Sequence, residues 1–164
     1  MLLKGSCSCG AVHFEVRTRH PYPYQLCYCS ICRKTAGSGG YAINLKAEAA
    51  TLKVRGKRNL KVYRARIRNP EDRRATQSPG ERNFCGKCGS ALWLYDPRWP
   101  DLLHPFAGAI DSPLPVPPER THLMLDFKPK WVPVAAGAKD RRHRRYPKEW
   151  MSQWHERMGL EVDL

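Results

Sequence analysis

The sequence lacks any apolar run near the roughly 18 residues that a membrane-crossing helix needs, and Met1-Leu2-Leu3-Lys4 is too short to form the core of a signal peptide. Membrane-spanning and secreted classes are set aside, and a cytoplasmic location is the expectation. Acidic side chains are scarce: 15 Asp and Glu stand against 29 Lys and Arg, for a formal charge of +14. That imbalance directs attention to anionic partners. Helix-turn-helix, RNP-type aromatic and Cys2His2 finger patterns are all missing, so nothing supports sequence-specific reading of nucleic acid. The chain carries 14 prolines, each of which would remove a hydrogen bond from a helix interior, so a mainly helical fold is not expected.

No cysteine stands alone. All 7 fall into three clusters: Cys7 with Cys9, then Cys27, Cys29 and Cys32, then Cys85 with Cys88. An odd count without a signal peptide argues against a disulfide framework and for metal ligation. Two clusters of two thiols and one of three partition naturally into a closed four-thiolate site and a three-thiolate site with an open position. Thiolates sharing a tetrahedral zinc lie only about 3.8 Å apart, given Zn–S bonds near 2.3 Å. Residues two apart in an extended strand are roughly 6.5 Å apart, so Cys7-Ser8-Cys9 must bend. Gly5 and Gly10 flank that bend, and Gly86 and Gly89 are free to take positive φ around the Cys85–Cys88 knuckle. Two zinc ions fit seven thiols in a four-and-three split more simply than an iron–sulfur cluster does.

The middle of the chain reads as short strands broken by Gly and Pro. Residues 11–17, 51–55, 60–67, 91–95, 106–110 and 122–127 carry strand patterns. The expected fold class is mainly β, with short antiparallel strands and a C-terminal helix. Residues 148–158 place Trp150, Met151, Trp154 and Met158 on one helical face, with Gly159 as the stop. Residues 1–138 are therefore expected to form the zinc-binding domain. Residues 139–164 are expected to form a basic linker and an amphipathic helix that packs on it. Two basic blocks, residues 55–68 and 139–148, are read either as solvated surface or as sites for a phosphate backbone or small carboxylates.

The motifs together resemble the glutathione-dependent formaldehyde-activating family, which includes the centromere-protein-V-like proteins and has the Mss4-like zinc-binding β fold. The resemblance rests on Gly5 to Val12, Cys27 to Lys34, Gly56 ahead of a strand ending near Tyr63, and Phe84 to Ser90. It continues through Ala107 to Pro113, His122 and Trp131. It implies a structural zinc on Cys7, Cys9, Cys85 and Cys88 and a catalytic zinc on Cys27, Cys29 and Cys32. The implied activity joins glutathione and formaldehyde into S-hydroxymethylglutathione, formally a carbon–sulfur lyase reaction. The expected partners are thus a small-molecule thiol, glutathione as cosubstrate, and an aldehyde.

The chemistry of the residues agrees with that expectation. Three thiolates leave a zinc complex with one negative charge, a weaker activator of water than zinc on three neutral histidines. An exogenous thiol suits the open position better, because zinc lowers its pKa and holds sulfur beside an electrophile. Arg33 and Lys34, directly after the third cysteine, are candidates for the carboxylates of a glutathione-like molecule or for ordinary surface charge. His13, His20, His104 and His122 are candidates for closing the open position or for plain surface and core roles. Asp111 and His122 are read as pocket residues or as turn and strand residues. The alternative to an enzyme is a zinc-stabilised basic module that binds nucleic acid or another polyanion.

Overall fold

Alternating buried and exposed side chains build the first hairpin, in which β1 (Leu2–Ser6) pairs antiparallel with β2 (His13–Arg17), from Leu2 opposite Arg17 to Ser6 opposite His13. Leu3, Phe14 and Val16 face inward from it. The computed structural model describes residues 1–68, 73–134 and 137–160. Among these, the further strands are β3 (Tyr24–Cys27), β4 (Ala42–Asn44), β5 (Ala47–Glu48), β6 (Lys53–Arg55), β7 (Leu60–Ile67), β8 (Thr76–Cys85), β9 (Ala91–Tyr95), β10 (Leu102–Pro105), β11 (Arg120–Leu123) and β12 (Arg141–Arg142). Two short helices, α1 (Ser30–Ala36) and α2 (Met151–Arg157), complete the regular structure. The mainly β expectation holds.

Among the described residues three sheets form, in the orders β1-β2-β6, β5-β10-β9-β8-β7 and β12-β11-β3-β4. The third departs from a purely antiparallel arrangement: β11 runs parallel to both β3 and β12. Parallel neighbours need long connections rather than hairpins, and β3 and β11 are far apart in sequence. The main core lies between the sheets, where Phe14 meets Trp93 edge-to-face at 5.0 Å amid Leu3, Val12, Leu45, Leu92 and Leu103. A second, smaller cluster gathers Cys27, Cys32, Ala42, Phe106 and Leu123.

Two expected strands are shifted. Residues 106–110 form a 3-10 turn over Ala107–Ala109, with single bridges from Asn44 to Phe106 and from Gly5 to Ile110. Small residues let this turn fit between the first and third sheets, and the strand proper is β10, just upstream. Residues 122–127 keep strand form only to Leu123. Met124 then turns left-handed at φ 64° into a 3-10 turn over Leu125–Phe127.

The C-terminal segment joins the fold through more than its helix. The expected linker supplies β12, while Trp154 and His155 are the buried residues of α2. Trp150 lies outside the helix, 61% exposed, with its ring 5.5 Å from that of Trp99. His155 therefore takes the inward place expected for Trp150. Gly159 does end the helix: at φ +67° it donates to Glu156 while Leu160 donates to His155, a Schellman stop. Residues 161–164 of the expected C-terminal unit lie outside the described residues.

Candidate metal centres

The β1–β2 turn presents Cys7 and Cys9, the end of β8 presents Cys85, and the turn before β9 presents Cys88. All four sulfurs lie within 4.8 Å of one another. Cys7 to Cys9 is 3.6 Å and Cys9 to Cys85 is 3.8 Å, the spacing that a tetrahedral thiolate site requires. The Val12 amide donates to the Cys7 sulfur at 3.2 Å, and the Cys88 sulfur lies 3.2 Å from the Ser90 hydroxyl. Ser90 holds the Cys88 thiol down to about 5. Gly10 (φ +71°) and Gly89 (φ +77°) make the two turns. Gly86 does not take the positive φ expected of it. Its amide donates to Asn59 at 2.7 Å, and a Cβ there would sit 2.7 Å from Cγ of Lys61.

The second group is built on the β3–α1 junction. Cys27 closes β3, Cys29 is the N-cap of α1, and Cys32 is the third residue of the helix. The Cys32 amide donates to the Cys29 sulfur at 3.3 Å. An N-cap side chain meets the third helical residue because it satisfies a free amide of the first turn. That geometry converts a Cys-x-x-Cys spacing into two adjacent ligands. The three sulfurs lie within 4.8 Å of one another, and Cys27 and Cys32 are buried. Among the described residues no other Cys, His, Asp or Glu atom joins the group.

Three touching thiols cannot all ionise without a cation. Contacts from Cys27 and Cys32 stabilise a thiolate on Cys29, so its pKa falls, while the same contacts with Cys29 and Cys32 drive Cys27 up. At Cys32 the contact with Cys27 favours the thiolate, contact with Cys29 and burial oppose it, and the positive charge of Arg82 favours it. The balance leaves the thiol up at about 11. A soft dication would discharge this competition, and the sulfur donors suit zinc.

The four histidines have other positions. His13 is exposed on β2, and His20 faces the ring of His155 at 6.0 Å. His104 Nδ1 is 3.0 Å from the Leu45 carbonyl, and buried His122 sits between Tyr28 and Asp140. Asp111 is exposed and accepts from the Ser6 hydroxyl at 2.6 Å, tying the turn after Ile110 to β1. Arg33 is half-buried on α1, its Nε atom buried and without a partner, and Lys34 is exposed.

Two residues near the triad carry no motif signal. Arg82 is buried on β8, and its charge reaches Cys32. Ser78, Gly80 and Arg82 alternate as buried positions of β8, but none is apolar, so the sequence displays no inner face there. Tyr146, from the second basic block, stands within electrostatic reach of Cys27, Cys29, Cys32 and Arg98. Partial desolvation first, then the cysteines, raise its phenol pKa, although most of the residue's surface is exposed.

Comparison with known proteins adds three findings. Residues 2–127 match the family described as glutathione-dependent formaldehyde-activating enzyme. A Halomonas elongata protein named for the same family is 58% identical over 161 residues, covering 98% of this chain and 99% of its own. A crystal structure of a Rhodobacter sphaeroides protein is 28% identical and covers 68% of this chain and 91% of its own, with a TM-score of 0.52.

Proposed function

The chain belongs to the glutathione-dependent formaldehyde-activating enzyme family, and from that premise we propose that it adds a zinc-activated thiol to formaldehyde or a related small electrophile. The thiol is glutathione or a close relative, and the activity is of the carbon–sulfur lyase type. The observation that carries this reading is the contrast between the two sulfur groups: one offers four ligands and is closed, the other offers three, two of them buried, and leaves a place for a fourth.

A zinc ion on the three-cysteine group would lower the pKa of an incoming thiol and keep its sulfur next to the carbonyl carbon. Cys27, Cys29 and Cys32 hold that position, and the buried Phe106 and Leu123 beside them limit the access of water. Arg33 and Lys34 receive the carboxylates of the thiol substrate. Cys7, Cys9, Cys85 and Cys88 hold the structural zinc.

Bound zinc counted per chain before and after dialysis against glutathione, with formaldehyde consumption followed in the same samples, tests the proposal. The expected result is two zinc ions, one labile to thiol, with formaldehyde consumed. Two thiol-indifferent ions without turnover would instead support a binding module. Roles separate by mutation: Cys32→Ser loses one zinc and all activity yet unfolds near the wild-type temperature, whereas Cys88→Ser unfolds or aggregates. Equal thermal unfolding of the two variants would sink the assignment of roles.

A further inference from the structure

Arg82 is only 9% exposed, yet its Nε and Nη1 atoms reach no hydrogen-bond partner. Antiparallel register puts Leu94 directly opposite Arg82, and opposed residues share one face of a sheet. Leu94 packs on the cluster that contains Cys27 and Cys32. The Arg82 side chain therefore stands on the face that meets the three-cysteine site. Nearby carboxylates are committed elsewhere: Glu81, its neighbour in the chain, pairs with Arg64. Asp96, just beyond β9, is held by Arg98 at 2.7 and 3.0 Å.

A buried guanidinium with Nε and Nη1 unpartnered is costly to keep. Thiolates around a dication offset its charge through space, but the N–H groups themselves stay free. The thiol addition proposed above generates an acceptor for them. As the thiolate sulfur attacks the aldehyde carbon, a C–S bond forms and the π pair of the C=O bond moves onto oxygen. That oxygen is an alkoxide until it takes up a proton, equivalent to the one that the thiol released on binding. We propose that Arg82 is a catalytic residue whose free N–H groups donate to this oxygen. Arg82 stays protonated throughout, so it supplies hydrogen bonds and charge without moving a proton. The reaction step rests on the proposed thiol addition; the anion-binding role rests on the buried donors alone.

Formate, a one-carbon oxyanion, is the probe. Zinc-loaded protein is titrated with 13C-formate and followed by line broadening, with zinc content and formaldehyde turnover measured on the same preparations. In the wild type, formate binds and competes with the aldehyde. In Arg82→Met, zinc is retained, formate affinity falls at least about tenfold, and kcat/KM falls on the order of 100-fold. Arg82→Lys recovers part of both, since an ammonium restores charge without the planar fork. Unchanged formate binding in Arg82→Met overturns the proposal. Loss of one zinc from both variants also overturns it, by assigning the charge to holding the thiolates. Wild-type protein that consumes no formaldehyde but binds formate through Arg82 would remove the reaction reading and keep the anion site. Normal turnover in Arg82→Met would remove the catalytic role and keep the reaction.

Discussion

Tyr28 lies between two cysteines of the triad in sequence, but it packs in the main core while Cys27 belongs to the smaller cluster. Its hydroxyl is 2.9 Å from Nδ1 of His122, whose Nε2 faces Asp140 at 3.5 Å. All three are buried or nearly so, and the chain fixes the strand that delivers Cys27. Tyr28→Phe strips His122 of this partner and is expected to cost about 1–3 kcal/mol, read as a lower urea midpoint with zinc content unchanged. Burial lowers the pKa of His122, although Asp140 pulls the other way. The unfolded chain then binds the proton more readily than the folded one, so this contribution is lost as pH falls below about 6.5. His122→Gln should flatten the decline in stability between pH 7 and 5 relative to the wild type; parallel profiles would count against a neutral buried His122.

Among the elements, α2 depends on one buried carboxylate. Glu119 accepts from Trp154 Nε1 at 3.0 Å and from Arg157 at 2.7 and 3.1 Å, and Arg141 approaches it at 3.4 Å. Arg157 also pairs with Glu149, so Glu119→Gln leaves that cation partnered. We expect a loss of about 1.5–3 kcal/mol, with Trp154 fluorescence shifting before global unfolding and faster proteolysis between β12 and α2. Coincident transitions would mean that α2 is not separately docked. The sequence made the last helix legible through Trp154 and the Gly159 stop, although its period put Trp150 where His155 faces inward, and it made the two candidate metal groups legible through cysteine spacing. It left α1 hidden because a seven-residue helix capped by a thiol has no apolar stripe to display. Arg82 was equally hidden, since its meaning comes from Leu94 across the sheet and from cysteines some fifty residues upstream, neither of which local pattern can reveal. The parallel pairing of β3 with β11 is non-local in the same way.

At the scale of the whole molecule, the first basic block acquires a physical role from its place in the sheet. β7 is an edge strand of the five-stranded sheet, and Val62, Tyr63 and Ile67 on it are 47%, 45% and 37% exposed. An open backbone edge beside exposed apolar side chains invites pairing with another chain. Lys61, Arg64 and Arg66 interrupt that surface with charge, and Arg64 is bound to Glu81 across the strand pair. Lys61 and Arg66 are thus the residues that oppose edge-to-edge association, in a chain whose net charge of +14 already favours separation. Replacing both with Thr keeps strand propensity and removes two charges, so the fold of the chain and its zinc content should persist while self-association grows with concentration. Sedimentation velocity over a concentration series measures it directly. If the double variant stays as dispersed as the wild type while its retention on a heparin column collapses, the basic strand is serving a polyanion and not guarding an edge.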